Sequence, residues 1–571
     1  RRFGAVVGLN RTIDSSDASL APELFGGESG AGGGCGAQSF AAGATGVFRG
    51  VAPVARTRRV EIAGAPAGYD YLTGAWAGSA ALAPGLNAVT VRAFGEDGGI
   101  VEARTFTARR LTAMQTLQGT LAADLTLTRD GGPYYLAGAG LVVPAGRALV
   151  LEPGVTVVAA GGASILVLGR IDASGTAAEP ILLLGARCDA PWAGIGLRDT
   201  GTGAADPVHR FRWCTFRRGA RSAGFTGCVS PHNARLLLES CRFEDIRDNA
   251  VDAVGARVEI RNCEFEEIYE GVHAVDSEVL VADSRFSGMI GDNDAIDFDG
   301  EGPGPCRIER CLITDGMDDG VDLGGATCAV IDNVIIGLGD KAVSCETQGR
   351  LGPTVVSGNV IARSGAGIAV KDGAVVAGVH NTVTMCREGL LVVSKTGAGA
   401  GGDGAFESCI AWGNRDDVVT DALSSLALAF SDAGGGGVWP GAGNIREDPR
   451  FVDYAAGDWR LLPGSPCLGA AKDGSDMGAL GIGTAEAVFV RGDANGDGRF
   501  DLSDAVFILL HLFKGRPAPC LDACDVNDSG DLDIADAVFA LAHLYGGGEA
   551  PRAPFPSEGP DPTPDALTCG T

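Results

Sequence analysis

Two twelve-residue stretches near the C-terminus place oxygen-bearing side chains at a spacing that suits a divalent cation. Residues 493–504 read DANGDGRFDLSD and residues 525–536 read DVNDSGDLDIAD, offset by 32 residues. The first offers Asp493, Asn495, Asp497, Asp501 and Asp504; the second offers Asp525, Asn527, Ser529, Asp533 and Asp536. Each has Gly at its sixth position, where a calcium loop turns sharply, and calcium takes six to eight such hard oxygens. A short apolar helix is expected after each loop, AVFILLHLF and AVFALAHLY.

A second acidic constellation lies upstream. Aligned on the start of a recurring short strand, one column reads Asn249, Glu270, Asp294, Asp319, Lys341. The residue before gives Asp248, Tyr269, Asn293, Asp318, Asp340, and three residues on gives Asp252, His273, Asp297, Asp322, Ser344. Alternation along strands puts these on one outward patch. Carboxylates stacked ~4.8 Å apart repel and raise their own pKa values unless a cation sits among them. Asp294, Asp297, Asp299, Asp318, Asp319 and Asp322 are expected to crowd there, with calcium as the natural occupant. His273 reads as a surface residue rather than a ligand. His511 and His543, at equal places in the two C-terminal helices, read as packing or solvent-facing.

The element that must hold this patch is a repeat. From about residue 210 to 412 an anchor recurs every 21–28 residues: Cys214, Cys241, Cys263, Ser284, Cys311, Asn333, Asn359, Asn381, Cys409. Two residues later runs an apolar column, Phe216, Phe243, Phe265, Phe286, Ile313, Ile335, Ile361, Val383. Strands this short cannot bury an apolar face alone; stacked coils can, and a fixed period of this size signals a solenoid. Phe over Phe, Ile over Ile and Asn over Asn are expected interior ladders.

The repeat resembles the right-handed parallel β-helix of the pectin-lyase-like superfamily over residues 135–485. Residues 140–200 look like its first coils, and 444–482 like a common ending of such domains. The expected fold is mainly β: this solenoid, an N-terminal β-sandwich-like domain at 45–110, and a small helical calcium-binding module at 490–545. Within 45–110, GLNAVTVRAFGEDGGIVEARTFTA reads as a hairpin. Residues 1–44 read as a remnant and linker, and 546–571 as an irregular tail.

The C-terminal pair of loops ends in Asp at position 12, where a full EF-hand has Glu, and only one helix follows each. It resembles a dockerin, the calcium-folded tag that docks secreted polysaccharide-degrading enzymes onto cohesins. That resemblance implies two calcium ions and a cohesin-type partner. The positions that usually contact the partner are Leu502–Ser503, Ile534–Ala535, Leu509–Leu510 and Leu541–Ala542 here, mostly apolar, which implies an atypical cohesin.

Asp318-Asp319-Gly320-Val321-Asp322-Leu323, with Asp294 one coil earlier, resembles the calcium site of family-nine pectate lyases. Those enzymes hold a uronate on calcium and abstract its C5 proton with a lysine. The resemblance implies a calcium-dependent lyase on an acidic polysaccharide. Lys341, one coil on, and Lys371, two coils on, are the candidate bases; Arg387 and Lys395 are candidates for binding the anionic sugar chain. Two other readings stay open. A glycoside hydrolase needs two carboxylates about 5–10 Å apart, which Asp297 with Asp319 or Asp322 offers. A non-catalytic cell-surface protein needs only a glycan-binding or scaffolding face.

Composition sets the remaining bounds. The chain has 571 residues, 89 of them Gly, and a formal net charge of −27, which excludes a basic nucleic-acid face. No apolar run is long enough for a membrane span. The chain begins with Arg and shows no leader, which reads as a fragment of an extracellular or cell-surface protein whose signal peptide lies upstream. The 16 cysteines read as packed interior thiols or stacked disulfides in the repeat, with one disulfide among Cys520, Cys524 and Cys569 and one of these left over.

Overall fold

The computed structural model describes residues 38–559, Thr563 and Leu567, apart from 42–44, 53–55, 84, 111–113, 187–189, 221–224, 292, 348, 350, 396–398, 435–436, 483–488, 517 and 519. Nearly all of the segment read as remnant and linker, and the end of the tail, lie outside the described residues. The described chain is mainly β, with three helices, and forms two compact units: one through residue 449 plus 466–481, the other 450–465 plus 482 onward.

The first unit is dominated by a parallel solenoid. One face is a sheet of thirteen strands running from Leu125–Leu127 to Ser425–Ala429, each paired in parallel with the strand one coil on. Two further faces stack the same way. One carries the apolar column (Cys214–Arg217, Arg285–Ser287, Leu312–Thr314 and their neighbours). The other carries the acidic columns (Ile296–Asp299, Val321–Gly324, Lys341–Glu346). In the coils of Tyr134–Val143, Arg242–Val254 and Glu264–Val275 these faces merge into single bent strands. Parallel stacking opens at Gln115–Thr120, upstream of residue 135, and its last rung is Asp432–Ala433.

The repeat dictates this stacking. At the anchor the chain turns a corner, and the residue before it is left-handed at nearly every coil: Trp213, Ser240, Asn262, Asp283, Arg310, Asp332, Gly358, His380 and Ser408 have φ between 50° and 68°. A corner leaves the anchor N–H without a strand partner, and a buried N–H must be satisfied. The next anchor's side chain does it. The Cys263 N–H donates to Ser284 Oγ (3.1 Å), Cys311 to Asn333 Oδ1 (2.8 Å), Asn333 to Asn359 Oδ1 (3.0 Å) and Asn359 to Asn381 Oδ1 (3.1 Å). Beside it, the Phe216, Phe243, Phe265 and Phe286 rings lie parallel within 7°, with centroids 4.4–4.9 Å apart, matching the rung spacing. The repeat cysteines, Cys214, Cys241, Cys263, Cys311 and Cys409 among them, are buried free thiols, so the stacked-disulfide alternative is not what forms. Burial raises the Cys311 and Cys409 thiols to about 11, which keeps them protonated and inert.

Upstream, the strands form a five-stranded and a three-stranded sheet around a small core of Val60, Ile62, Trp76, Leu82 and Val91. The expected hairpin is the antiparallel pair Gly85–Phe94 and Ile100–Arg110.

The second unit holds α1 (Leu502–Lys514), α2 (Leu521–Cys524) and α3 (Ile534–Gly546), packed through Phe507, Ile508, Val526 and Ala540. The antiparallel pair Phe451–Asp453 and Asp458–Leu461 belongs to this unit. Cys520 is disulfide-bonded and Cys524 is a buried free thiol. Among the described residues, no helix is long and apolar enough to cross a membrane.

Candidate functional site

The strand pairing aligns the acidic columns as the repeat spacing predicts. Asp252 lies beside His273, His273 beside Asp297, Asp297 beside Asp322 and Asp322 beside Ser344. The other column is closed by hydrogen bonds between rungs. The Asp319 N–H donates to Asp294 Oδ1 (2.9 Å), and the Lys341 N–H donates to Asp319 Oδ1 (2.7 Å). Each aspartate thus replaces the backbone carbonyl that a continuous strand would offer, which fixes its carboxylate at the start of the face.

The result is a crowded acidic cluster. Asp294, Asp318 and Asp319 bring one carboxylate oxygen each to within 4.8 Å of the others, and so do Asp294, Asp297 and Asp322. Burial, then the charge on Asp319, pushes Asp294 up to about 8. Burial, then Asp299, pushes Asp297 to about 7. Burial raises Asp319 to about 6 against the pull of Lys341. Asp322 Oδ1 and the Oγ of fully buried Ser344, next to it in the column, are buried without a hydrogen-bond partner. Hard oxygens, mutual repulsion and an orphaned carboxylate oxygen fit a calcium ion.

The basic residues divide. Lys341 Nζ donates to Asp319 Oδ1 (3.0 Å) and to Asp340. Burial opposes its charge, but these two partners hold its pKa above the ordinary lysine value. In this state it is a counter-ion of the cluster rather than a free amine. Lys371 is buried and bonded to Glu346, which also accepts from Lys395 Nζ at 2.8 Å. The Lys395 side chain is 60% exposed and that of Arg387, paired with Glu388 at 3.0 Å, is 52% exposed. The structure therefore brings Lys341 into the acidic cluster and places Lys371 with Lys395 on a separate carboxylate.

His273 is not the simple surface residue the sequence suggests. Its side chain is 22% exposed, and Nδ1 lies 2.6 Å from Asp252 Oδ1. Glu270, His273 and Asp297 bring ligand-type atoms to within 4.8 Å of one another. The signal was in the sequence, because Asp252, His273 and Asp297 share a column.

The C-terminal loops are near copies in geometry. Asp493 accepts from the Asp497 and Gly498 amides (3.0 and 2.8 Å), and Asp525 from the Ser529 and Gly530 amides (3.0 and 2.8 Å). Asn495 in the first loop also accepts from the Asp497 amide at 2.8 Å. Asp501 and Asp533 cap α1 and α3, and Asp504 and Asp536 return the bond to the cap amides. Asp504 and Asp536 are fully buried, and burial raises Asp536 to about 7. Gly498 and Gly530, at φ 83° and 81°, make the turn a side chain would strain.

The family described as "Right handed beta helix region" matches residues 251–402, which gives the solenoid its hand. No curated protein compared with the chain matches it. Among solved structures, the periplasmic alginate epimerase AlgG is 12% identical over 54% of this chain and 76% of its own, with a TM-score of 0.33. A family 28 exopolygalacturonase of Yersinia enterocolitica is 12% identical over 73% and 88%, TM-score 0.27. An alginate lyase of a Paenibacillus species is 16% identical over 51% and 93%, TM-score 0.25.

Proposed function

We propose that this is a secreted, polysaccharide-active β-helix protein whose acidic ladder is a calcium-dependent lyase site for a uronate polysaccharide. The observation that carries this reading is the Asp294–Asp318–Asp319 carboxylate cluster with Lys341 Nζ 3.0 Å from Asp319. Asp294, Asp318, Asp319 and Asp322 would hold a calcium ion, which would supply a docking point for the substrate carboxylate and stabilisation of the charge developing at C5. Engaging Asp319 elsewhere would leave Lys341 only Asp340 of the two partners that keep it charged, and a nearby cation would oppose the ammonium. Lys341 thereby becomes the preferred base. Lys395 and Arg387 lie exposed, where they meet an anionic chain.

We read residues 45–110 as a β-sandwich-like domain and residues 490–545 as a dockerin-like module. Its two loops bind one calcium each, and α1 and α3 dock an atypical, more apolar cohesin-type partner. The chain's setting is then extracellular or periplasmic.

A second reading rests on Asp297 and Asp322. One oxygen of each lies within 4.8 Å of the other, slightly closer than the about 5–5.5 Å of a retaining hydrolase pair, and Asp297 titrates near 7, which keeps one carboxyl as the acid. A panel of polygalacturonate, alginate and neutral glycans, with calcium or chelator, separates the readings. Unsaturated products that vanish with chelator support the lyase. New reducing ends without unsaturation support the hydrolase. Binding without any product leaves a non-catalytic glycan-binding protein and overturns both.

A further inference from the structure

We propose that His273 is the proton donor to the departing glycosidic oxygen and that Asp252 is its positioning residue. The inference rests on the reading of this face as a polysaccharide-cleaving site, and it serves the lyase and hydrolase chemistries alike.

The geometry is that of an oriented imidazole. Asp252 is 3% exposed and is surrounded by donors: Thr226 Oγ1, His232 Nε2 at 3.5 Å and His273 Nδ1 at 2.6 Å. Burial alone would raise it, but these three bonds hold it well below the usual carboxylate range. An ionised carboxylate only accepts, so Nδ1 carries the hydrogen that faces it. The working nitrogen is then Nε2. It points along the column, with Asp297 Oδ2 at 3.8 Å, beyond a hydrogen bond. The charged groups facing the ring are Asp252 from the strand before, Glu270 on its own strand and Asp297 from the strand after. All three are acidic. The bond from Asp252 first, then the acids around it, raise His273 to about 9, so Nε2 also carries a proton at neutral pH.

Position supports the role. His273 is one rung from Asp297 and two from Asp322, so it stands ~5–10 Å along the stack from the carboxylate cluster. A uronate seated there presents its neighbouring linkage toward His273. In the elimination, the C5 proton leaves to the base and its electron pair forms the C4–C5 double bond. The C4–O bond breaks with its electrons on oxygen, and that oxygen takes the Nε2 proton. The imidazole is left neutral and regains its proton from water. General acid catalysis of this kind is worth about 10²–10⁴-fold.

The test uses the full chain with calcium on polygalacturonate and alginate, comparing the native protein with His273→Gln and Asp252→Asn. The native kcat is expected to fall along an alkaline limb near pH 9, and the expected result for His273→Gln is a kcat lowered about 10²–10⁴-fold with KM little changed and that limb lost. Asp252→Asn is expected to move that limb to lower pH, which a merely structural role would not do. Activity of His273→Gln within about threefold of native, or an unchanged alkaline limb in either variant, overturns the inference alone. A native protein inert on every substrate overturns the inference together with the functional reading it rests on.

Discussion

The Asp319 backbone N–H donates to the Asp294 carboxylate one rung earlier, at 2.9 Å. This single bond fixes one carboxylate within the ladder and brings the next coil's aspartate beside it. Asp294 nevertheless carries the largest upward shift in the cluster, to about 8, because burial and then the charge on Asp319 raise it against the pull of this bond.

A raised carboxyl pKa fixes the sign of two pH effects. With its folded pKa above its unfolded one, Asp294 stabilises the metal-free fold below the unfolded value of 3.8, and this contribution is lost as pH rises toward 8. Metal-free protein should therefore lose stability between pH 4 and 8, and Asp294→Asn should recover on the order of 1–2 kcal/mol at pH 8. Calcium binds the ionised form, so affinity should climb over the same range, with proton release on binding at pH 7. Thermal melts and calorimetry in two buffers of different ionisation enthalpy read both.

Lys341 should behave as a counter-ion that calcium replaces. Lys341→Met leaves Asp319, 3% exposed, without its ammonium and should cost the metal-free protein about 1–3 kcal/mol. Calcium should restore most of that, and affinity for it should rise because a competing cation is gone. Product formation on uronates should nevertheless fall at least ~100-fold. A variant that keeps full activity rules Lys341 out as the base.

Much of this arrangement was legible before any coordinates. The anchor and apolar columns repeat closely enough to set the rung alignment, so Asp294 over Asp319 and Asp297 over Asp322 followed from counting. What counting cannot give is the direction in which a long side chain turns. Lys341 folds onto Asp319 and Asp340, Lys371 onto Glu346, and His273 back onto Asp252, each choice set by the nearest unpaired charge. Nor does the anchor column say whether stacked cysteines bond to one another. Their thiols instead point at backbone oxygens inside the coil, as Cys263 does at Arg261 O (3.3 Å) and Cys311 at Glu309 O (3.4 Å).

The interior ladder should carry most of the solenoid's mechanical continuity. Asn359 is fully buried; its Nδ2 donates to Val330 O (2.8 Å) and to Asn381 Oδ1 (3.0 Å), while its Oδ1 accepts from the Asn333 amide at 3.0 Å. Asn359→Ala should cost about 2–4 kcal/mol, because several buried groups lose their partner at once. Phe265→Ala, which opens a gap between two stacked rings, should cost about 3–5 kcal/mol. Urea melts followed by circular dichroism measure both; a cost below about 1 kcal/mol for either would contradict a continuous packed ladder.

The C-terminal loops give the last test. Asp504 and Asp536 are fully buried and each bonds two amides, the cap amide and that of Asn495 or Asn527. Burial raises both, and the charges of Asp493 and Asp497 on Asp504 and of Asp525 on Asp536 add to it, so without a cation the closed loop is held against like-charge repulsion. Calcium should reverse that balance. In the full chain, residues 490–545 should resist limited proteolysis with calcium and be cut within minutes in chelator. Asp493→Ala combined with Asp525→Ala should make them labile even with calcium, while cleavage elsewhere is unchanged. Because each variant removes the carboxylate that accepts from two loop amides, a single substitution should expose its own loop first. Equal protection with and without calcium in the native chain would mean that helix packing through Phe507, Ile508 and Val526 alone holds the unit, and that the loops are not calcium sites.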